Sequence, residues 1–312
     1  MMNNPSFSII APIYGVEKYI AEFAESVLGQ TYDNIQFVFV NDGTKDSSME
    51  ILNGLIDARF PSLKERIVII NKLNEGLPAA RRTGLEHATG DYILHVDSDD
   101  WLETDAVERI AEEAVRTGSD IIYFDFYKEY ASRSKHDVEK DYTAQTKMKF
   151  IHGLFNYKAY GYVWNKCVKR TLYEKREVYF SPYGMHEDIY LMSQLIYNAE
   201  SISHLNLPLY HYRRDNPGSI SAAKRRNRRR DSAMNMMDLY DHFKADIPNS
   251  PVRDVVGEIM FRSGWLSLRY GFGFFESYTD LPLMLKKLPL SFRNKTFILW
   301  QLIVKIYVHT CF

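Results

Sequence analysis

Three carboxylates stand together in the segment Asp97-Ser98-Asp99-Asp100, directly after an apolar run. Like charges this close repel one another, and a counter-cation would let them stay ionised. Hard divalent ions such as Mg²⁺ and Mn²⁺ prefer oxygen ligands from carboxylates and phosphates. This acidic turn, residues 97–100, therefore predicts a metal and phosphate site. The alternative is an Asp-rich turn that caps the following helix.

Two further loops carry groups suited to a nucleotide. The Asn-Asp-Gly segment at 41–43 ends an apolar run, and the carboxylate of Asp42 could accept the imide N–H of a uracil ring. A helix that begins after residue 76 could offer its N-terminal amides and Arg81 to a pyrophosphate. Taken alone, the first segment is only a turn signal and the arginine only a surface charge. Their position after predicted strands favours a ligand site.

The second half of the chain supplies a candidate base and a further candidate ligand. Glu187 and Asp188 follow Gly184 at the start of a predicted helix, where acidic residues are common. If this segment lies over the site, Asp188 could remove the proton from an attacking sugar hydroxyl. His211 could complete the metal shell, although a lone histidine in a strand is more often simply buried.

The elements that must position these residues alternate between short β-branched runs and helical segments. This pattern predicts an α/β fold with an open, mostly parallel sheet flanked by helices, in which ligands bind beyond the carboxyl ends of the strands. The predicted strands are Phe7–Ile13, Ile35–Asn41, Arg66–Asn71, Tyr92–Asp97, Asp120–Phe126 and Leu207–Arg213. The predicted helices are Glu17–Leu28, Ser47–Ala58, Leu77–Ala88, Thr104–Thr117, Met148–Tyr160 and Glu187–Asn198.

A change in character near residue 220 predicts a domain boundary. Residues 1–220 form the catalytic domain, with a nucleotide-binding half at 1–127, a polar loop or flap at 128–147 and an acceptor half at 148–220. Residues 221–312 are predicted to be a helical C-terminal region. Its basic run at 224–230 and its amphipathic stretch at 296–312 could contact a membrane surface. A solvated helix face and a buried helix are the competing interpretations.

Composition excludes several classes of protein. The net charge of -1 gives no general attraction for nucleic acid, so we expect no nucleic-acid partner. Two distant cysteines predict neither a disulfide scaffold nor a zinc site, and the polar N-terminus lacks a secretory signal. We therefore expect a cytoplasmic protein that could lie at the inner face of the cytoplasmic membrane. Neither a P-loop nor a dinucleotide-binding fingerprint occurs in the sequence.

The order of these motifs resembles that of glycosyltransferase family 2, whose members have the GT-A fold and include many bacterial enzymes of polysaccharide synthesis. The resemblance covers residues 7 to about 215, roughly two thirds of the chain, and a joint match of several motifs is more specific than any one of them. It runs through Ser8–Tyr14, Gln30–Tyr32, Phe39–Thr44, residues 74–84, Gly90–Asp100, Trp164–Lys166 and Glu187–Asp188. Asn41 and Arg82 depart from the common pattern, which has Asp and Asn at these positions.

The resemblance implies an inverting transfer of sugar from a nucleotide diphosphate sugar, such as a UDP-sugar, with Mn²⁺ or Mg²⁺ as cofactor. The acceptor would be a hydroxyl of a saccharide or lipid-linked molecule, and Asp188 would be the catalytic base. The implied or expected substrate-binding residues are Pro12, Tyr14, Glu17, Asp42, Arg81, Asp97, Lys166 and Glu187, and the metal ligands are Asp97, Asp99 and His211.

Two other functions compete with sugar transfer. The Asp-x-Asp spacing after an apolar strand is also found in haloacid-dehalogenase-like phosphatases. That class needs a threonine soon afterwards, where this chain has Trp101 and Leu102. The second alternative is a catalytically silent nucleotide-sugar-binding module, which would keep Asp42 and the acidic turn without needing Asp188.

Overall fold

The computed structural model describes residues 4–130, 137–141, 146–155, 158–174, 178–184 and 186–216, together with single positions between 231 and 242. Apart from those single positions, the predicted helical region 221–312 lies outside the described residues, and so do its basic run and its amphipathic stretch. In the part that is described, no helix is long and apolar enough to cross a membrane.

The described residues contain a nine-stranded sheet with the order β3-β2-β1-β4-β8-β6-β9-β5, and β7 pairs with β6 at one side. Pairings among β1, β2, β3 and β4 are parallel, whereas β8 runs antiparallel to both β4 and β6. The strands are β1 Phe7–Ile13, β2 Ile35–Asn41, β3 Ile67–Asn71, β4 Tyr92–His95, β5 Trp101–Leu102, β6 Ile121–Glu129, β7 Asp137–Glu139, β8 Lys166–Lys169 and β9 Ile202–Arg213.

Helices cover both faces of this sheet. They are α1 Ile20–Leu28, α2 Ser48–Arg59, α3 Leu77–Glu86, α4 Ala106–Thr117, α5 Lys147–Phe155, α6 Arg170–Glu174 and α7 Glu187–Asn198. The helix α4 has the sequence pattern of a helix with one buried face, because its buried apolar residues recur every three to four positions. It is followed by Gly118 in the left-handed conformation. A 3₁₀ helix at Pro61–Arg66 precedes β3.

The core is divided by the sheet into two layers. Ile10 packs in one hydrophobic cluster with α3, α5 and α7, whereas its neighbours Ile9 and Ala11 pack in the other cluster with α1, α2 and α4. This alternation follows from the two-residue period of a strand, and burial on both faces explains why β1 is apolar throughout. Gly84 lets α3 lie close to the sheet, because a Cβ there would come within 2.3 Å of Ile10 Cγ2.

The α/β fold is confirmed, and the sheet is parallel among β1 to β4 and between β6 and β9, whereas the other pairings are antiparallel. The aromatic-rich segment before residue 167 leads into β8, which inserts between β4 and β6 and makes the sheet mixed. The predicted polar flap contains the short strand β7, and β9 begins five residues earlier than predicted. The strand β4 ends at His95, two residues before Asp97, so that the acidic turn lies outside the sheet.

Candidate active site

The acidic turn lies beside the carboxyl end of the central strand β1. The amide of Val96 donates to the carbonyl of Ile10 at 3.0 Å, and the hydroxyl of Ser98 donates to the carbonyl of Pro12 at 2.7 Å. These two bonds attach the turn to β1 although β4 has already ended. The acidic turn therefore lies where parallel strands of an open sheet are expected to bind ligands.

Arg81 connects the acidic turn with the second half of the chain. Its guanidinium donates to Asp97 Oδ1 at 2.8 Å and to Glu187 Oε1 at 3.0 Å, and the side chain is only 3% exposed. Burial alone would lower the pKa of Arg81, but the charges of Asp97 and Glu187 outweigh it and raise the pKa. The predicted role of Arg81 in holding a diphosphate remains a prediction; here its two terminal nitrogens hold carboxylates.

The last residue of the acidic turn is a structural carboxylate. Asp100 is 1% exposed, and it accepts the hydroxyl of Tyr210 at 2.8 Å and the amide of Arg213 at 2.7 Å. Burial, followed by the charges of Asp99 and Asp97, raises its pKa well above the ordinary value. Asp100 therefore fastens the turn to β9. No local pattern indicates this contact, because its partners are 110 and 113 residues away in the sequence.

Asp97 and Asp99 fit a divalent cation as a pair of hard oxygen donors. Burial and the charge of Asp97 raise the pKa of Asp99, and a cation between them would relieve this repulsion. Within the described residues no group of three His, Cys, Asp or Glu side chains could hold a metal. Two carboxylates are nevertheless a common protein contribution to a Mg²⁺ site that substrate phosphates complete. The pair thus fits a metal that arrives with a nucleotide diphosphate.

His211 is held in a different environment. Its ring nitrogens lie 2.6 Å from Glu129 Oε1 and 3.1 Å from Glu103 Oε1, and the ring stacks between Trp101 and Tyr127. A role as metal ligand would require one of these two contacts to break. Because both ring nitrogens already contact carboxylates, a role of His211 as a metal ligand stays a prediction.

Asp42 connects two loops of the nucleotide-binding half. Its carboxylate accepts the amides of Glu75 at 3.1 Å and Gly76 at 2.9 Å, and it lies 3.3 Å from Lys72 Nζ. The residue is only 3% exposed. The end of β2 is thereby tied to the start of α3, the helix that carries Arg81. Recognition of a base by Asp42 stays a prediction, since it would have to share oxygens that already accept these bonds.

The loop after β1 is held by a side-chain network centred on Asp46. Three consecutive amides, at residues 15–17, donate to Thr44 Oγ1 at 2.9 Å, Ser48 Oγ at 3.1 Å and Asp46 Oδ2 at 3.0 Å. Asp46 Oδ1 in turn accepts the hydroxyls of Thr44 and Ser48 at 2.7 and 2.6 Å. Sequence reasoning missed Asp46, although the spacing of polar residues at 44, 46 and 48 was a usable signal.

This network determines where two predicted substrate-binding residues lie. Tyr14 is 54% exposed at the tip of the loop, beside the buried Pro12. Glu17 is exposed, and its carboxylate accepts the amide of Ser47 at 3.2 Å. The position of Tyr14 is compatible with stacking on a base, whereas Glu17 serves as a second connection between the two loops.

We expect Asp46→Ala to loosen the loop after β1. The amide of Glu17 loses its acceptor, and the hydroxyls that hold residues 15 and 16 lose their anchor, each bond being worth about 0.5–1.5 kcal/mol. Hydrogen–deuterium exchange of the peptide that contains residues 14–18 should therefore become about tenfold faster. Asp57→Ala, at a side chain that is 66% exposed, is the control. Unchanged exchange in Asp46→Ala would contradict this role.

Glu187 and Asp188 begin α7 next to Arg81. The preceding residue, His186, has a φ of 63°, a left-handed conformation that is costly for a residue other than glycine. Burial, followed by the charge of Asp188, raises the pKa of Glu187, although Arg81 opposes this effect. Burial also raises the pKa of the half-buried Asp188. The structure thus brings a carboxylate with raised proton affinity into the neighbourhood of the acidic turn, as a base would require.

Lys166 lies in the interior. Its side chain is fully buried, and its amine donates to the carbonyls of Tyr160 at 2.8 Å and Tyr162 at 3.0 Å and to Asn165 Oδ1 at 2.6 Å. Asp141 Oδ2 lies 3.4 Å from the amine. Burial lowers the pKa of Lys166. With its hydrogen bonds made to the protein, Lys166 supports the segment 160–162, and a direct substrate contact would require these bonds to be exchanged.

The sequence matches the family described as Glycosyl transferase family 2 over residues 8–175. Among relatives, EpsH of Bacillus subtilis is 33% identical over 218 residues, which cover 68% of this chain and 62% of EpsH. The minor teichoic acid biosynthesis protein GgaB of the same organism is 39% identical over 109 residues, 34% of this chain and 12% of GgaB. The chain thus spans only part of the length of both relatives.

The fold is similar to that of TarS from S. aureus, residues 1–349, in a crystal structure with UDP-GlcNAc. The TM-score is 0.64 with 19% sequence identity, and the superposition covers 90% of this chain and 79% of that one. At this identity the likeness establishes the GT-A fold alone. Because the family match spans more than half of the sequence, we conclude that the chain belongs to glycosyl transferase family 2.

Proposed function

We propose that the protein is an inverting glycosyltransferase that moves a sugar from a nucleotide diphosphate sugar to a hydroxyl of a saccharide or lipid-linked acceptor. We further propose a UDP-sugar as the donor and cell-surface polysaccharide as the product. The UDP-GlcNAc complex of TarS and the teichoic acid role named for GgaB support these choices by analogy. A cytoplasmic location with peripheral membrane contact belongs to the same proposal.

The observation that carries the proposal is the position of Arg81. One guanidinium binds Asp97 of the acidic turn and Glu187 at the start of α7, and Asp188 follows directly. The donor-side carboxylates and the candidate base are therefore linked through a single buried side chain. Such an arrangement suits a displacement in which a leaving group departs on one side and a nucleophile is activated on the other.

The reaction can be written with the residues of this chain. Asp188 accepts the proton of the acceptor hydroxyl, and the hydroxyl oxygen forms a bond to the anomeric carbon of the donor. The bond between that carbon and the diphosphate breaks, and the nucleoside diphosphate leaves with the electron pair. Arg81 keeps Asp97 and Glu187 in place during this step. Inversion follows from a single displacement.

A divalent cation would be held by Asp97 and Asp99. When bound, it would neutralise the negative charge that grows on the departing diphosphate. Asp100 takes no part in this shell, because its oxygens are bonded to Tyr210 and Arg213. Tyr14, Pro12 and Asp42 would line the nucleoside side of the site.

Calorimetry and a donor screen test the proposal together. We expect UDP to bind the full chain in the presence of Mn²⁺ and to bind at least tenfold more weakly in EDTA, because Asp97 and Asp99 would hold the cation and its charge would attract the diphosphate. Mass spectrometry with several nucleotide sugars should then detect transfer from one of them. Binding without turnover of any donor would favour the silent binding module. Family membership already argues against the haloacid-dehalogenase-like phosphatase.

The rate should depend on pH through Asp188. Burial raises its pKa, while the charges of His186, Arg81 and Lys166 oppose this effect, and the charge of Asp188 in turn raises the pKa of its neighbour Glu187. Only the ionised carboxylate can accept a proton, so kcat/KM should fall as the pH drops through the raised pKa. We expect the midpoint to lie above the ordinary aspartate value of about 3.9. A midpoint at or below that value would contradict the environment described for Asp188.

A further inference from the structure

An aromatic ladder lies on the acceptor half of the chain. Tyr160, Tyr162 and Trp164 are alternate residues of the loop that leads into β8, and their rings are nearly parallel. Ring centroids are 5.4 Å apart between the first two and 4.6 Å apart between the last two, and Phe126 lies perpendicular beneath all three. The two tyrosines are partly exposed, whereas Trp164 is 3% exposed.

Buried polar groups hold the backbone of this ladder. Lys166 Nζ donates to the carbonyls of Tyr160 and Tyr162, and Asp141 Oδ1 accepts the amide of Tyr160 at 3.1 Å. Burying a lysine is costly unless its donors are satisfied, so the bonds to these carbonyls compensate for removing the amine from water. Buried hydrogen bonds thus hold the backbone of this segment, although its two tyrosine side chains are partly exposed.

The ladder lies against the start of α7. A Cβ at Gly161 would come within 2.5 Å of Ile189 Cγ1 and 3.4 Å of Ile189 Cα, so only glycine permits this approach. Ile189 follows Asp188 directly. Burial raises the pKa of Tyr162, and the charges of Tyr212 and Asp188 raise it further. Tyr162 therefore belongs to the surroundings of the proposed base.

The hydroxyl of Tyr162 differs from those of its neighbours. Tyr160 donates to Glu139 Oε2 at 2.6 Å, and the Tyr210 hydroxyl is engaged by both Asp100 and the amide of Asp97. Among the described residues, no hydrogen bond is formed by the hydroxyl of Tyr162. A partly exposed ring with a polar tip suits a ligand that combines C–H faces with hydroxyl groups. A sugar ring has this chemistry.

We infer that Tyr162 binds a sugar ring of the acceptor and presents one of its hydroxyls to Asp188. The ladder supplies contact with the C–H face of the sugar, the tyrosine hydroxyl forms a hydrogen bond, and Lys166 and Gly161 act as positioning residues. This inference rests on the proposed function, and it assigns the acceptor to the saccharide class.

Saturation-transfer NMR on the full chain tests the inference. The probes are methyl pyranosides of glucose, galactose and N-acetylglucosamine, added in the presence of UDP and Mn²⁺. We expect at least one of them to bind, about 2–10-fold more weakly in Tyr162→Phe, because a single hydrogen bond is lost. In Tyr162→Ala, which also loses the ring, binding should fall by a further tenfold or so.

The controls separate this inference from the proposed function. UDP affinity should be unchanged in both variants, and Tyr179→Phe, at a tyrosine that is 50% exposed, should bind the pyranosides normally. Equal pyranoside affinity in wild type and Tyr162→Ala would overturn the inference, as would the absence of pyranoside binding by a chain that binds UDP. A chain that fails to bind UDP contradicts the proposed function instead, and the inference falls with it.

Discussion

Asp188→Asn should reduce sugar transfer by about 10²–10⁴-fold, the usual contribution of a general base. The amide has nearly the shape of the carboxylate but cannot accept the proton from the acceptor hydroxyl. The measurement is kcat with the nucleotide sugar that the donor screen selects. The dissociation constant of UDP should not change, since Asp188 begins α7 and has no role in holding the nucleotide.

A control variant and a stability measurement accompany Asp188→Asn. Asp57→Asn changes the same chemical group at a site that is 66% exposed, and it should retain the wild-type rate. The melting temperature of Asp188→Asn should stay close to that of wild type, or rise, because a buried charge is removed. Turnover near the wild-type value in Asp188→Asn would show that the base lies elsewhere, and Glu187 would be the next candidate.

Arg81→Met should destabilise the fold by about 3 kcal/mol, the lower end of the range for breaking a buried ion pair. Removing the guanidinium leaves Asp97 and Glu187 without their shared cation in a site where Arg81 is 3% exposed. The loss stays at the lower end because Asp97 is 24% exposed and regains water. Urea unfolding followed by tyrosine and tryptophan fluorescence measures the change.

Two further arginine variants test the geometry. Arg81→Lys keeps the charge but offers a single donor centre, which cannot reproduce bonds to two carboxylates from one planar group. It should therefore recover only part of the stability, and catalysis should stay low. Arg82→Met, at a side chain that is 59% exposed and whose ion-pair partner Glu86 is 61% exposed, should be neutral within about 0.5 kcal/mol. A stable and active Arg81→Met would contradict the central position given to this residue.

The first half of the fold was predictable because its signals are local. Apolar runs of five to seven residues gave β1, β2 and β3 to within one residue, and the period of apolar residues gave α1 to α4 to within three residues. The predicted end of the fourth helix at Thr117 is confirmed. Family motifs then indicated which loops matter, and the geometry of Arg81 and Glu187 connects these loops.

What was missed depends on contacts that no local pattern encodes. The strand β8 pairs with β4 and β6, which are distant from it in the sequence. Its four residues show no alternation of apolar and polar side chains that would predict a strand. Lys166 was expected to bind substrate because of the family resemblance, whereas in the structure its amine donates to the carbonyls of Tyr160 and Tyr162. The partners of His211 are likewise distant in sequence.

The fastening of the acidic turn by β9 has a consequence for how the protein is made. Asp100 is bonded to residues that lie 110 and 113 positions further along the chain, and Asp99 to Asn216, at 117 positions. At about 5–20 residues per second, a ribosome would release the acidic turn roughly 5–20 s before these partners emerge. The nascent chain can therefore complete its first parallel strands early, while the acidic turn gains these bonds only when β9 and Asn216 have been synthesised.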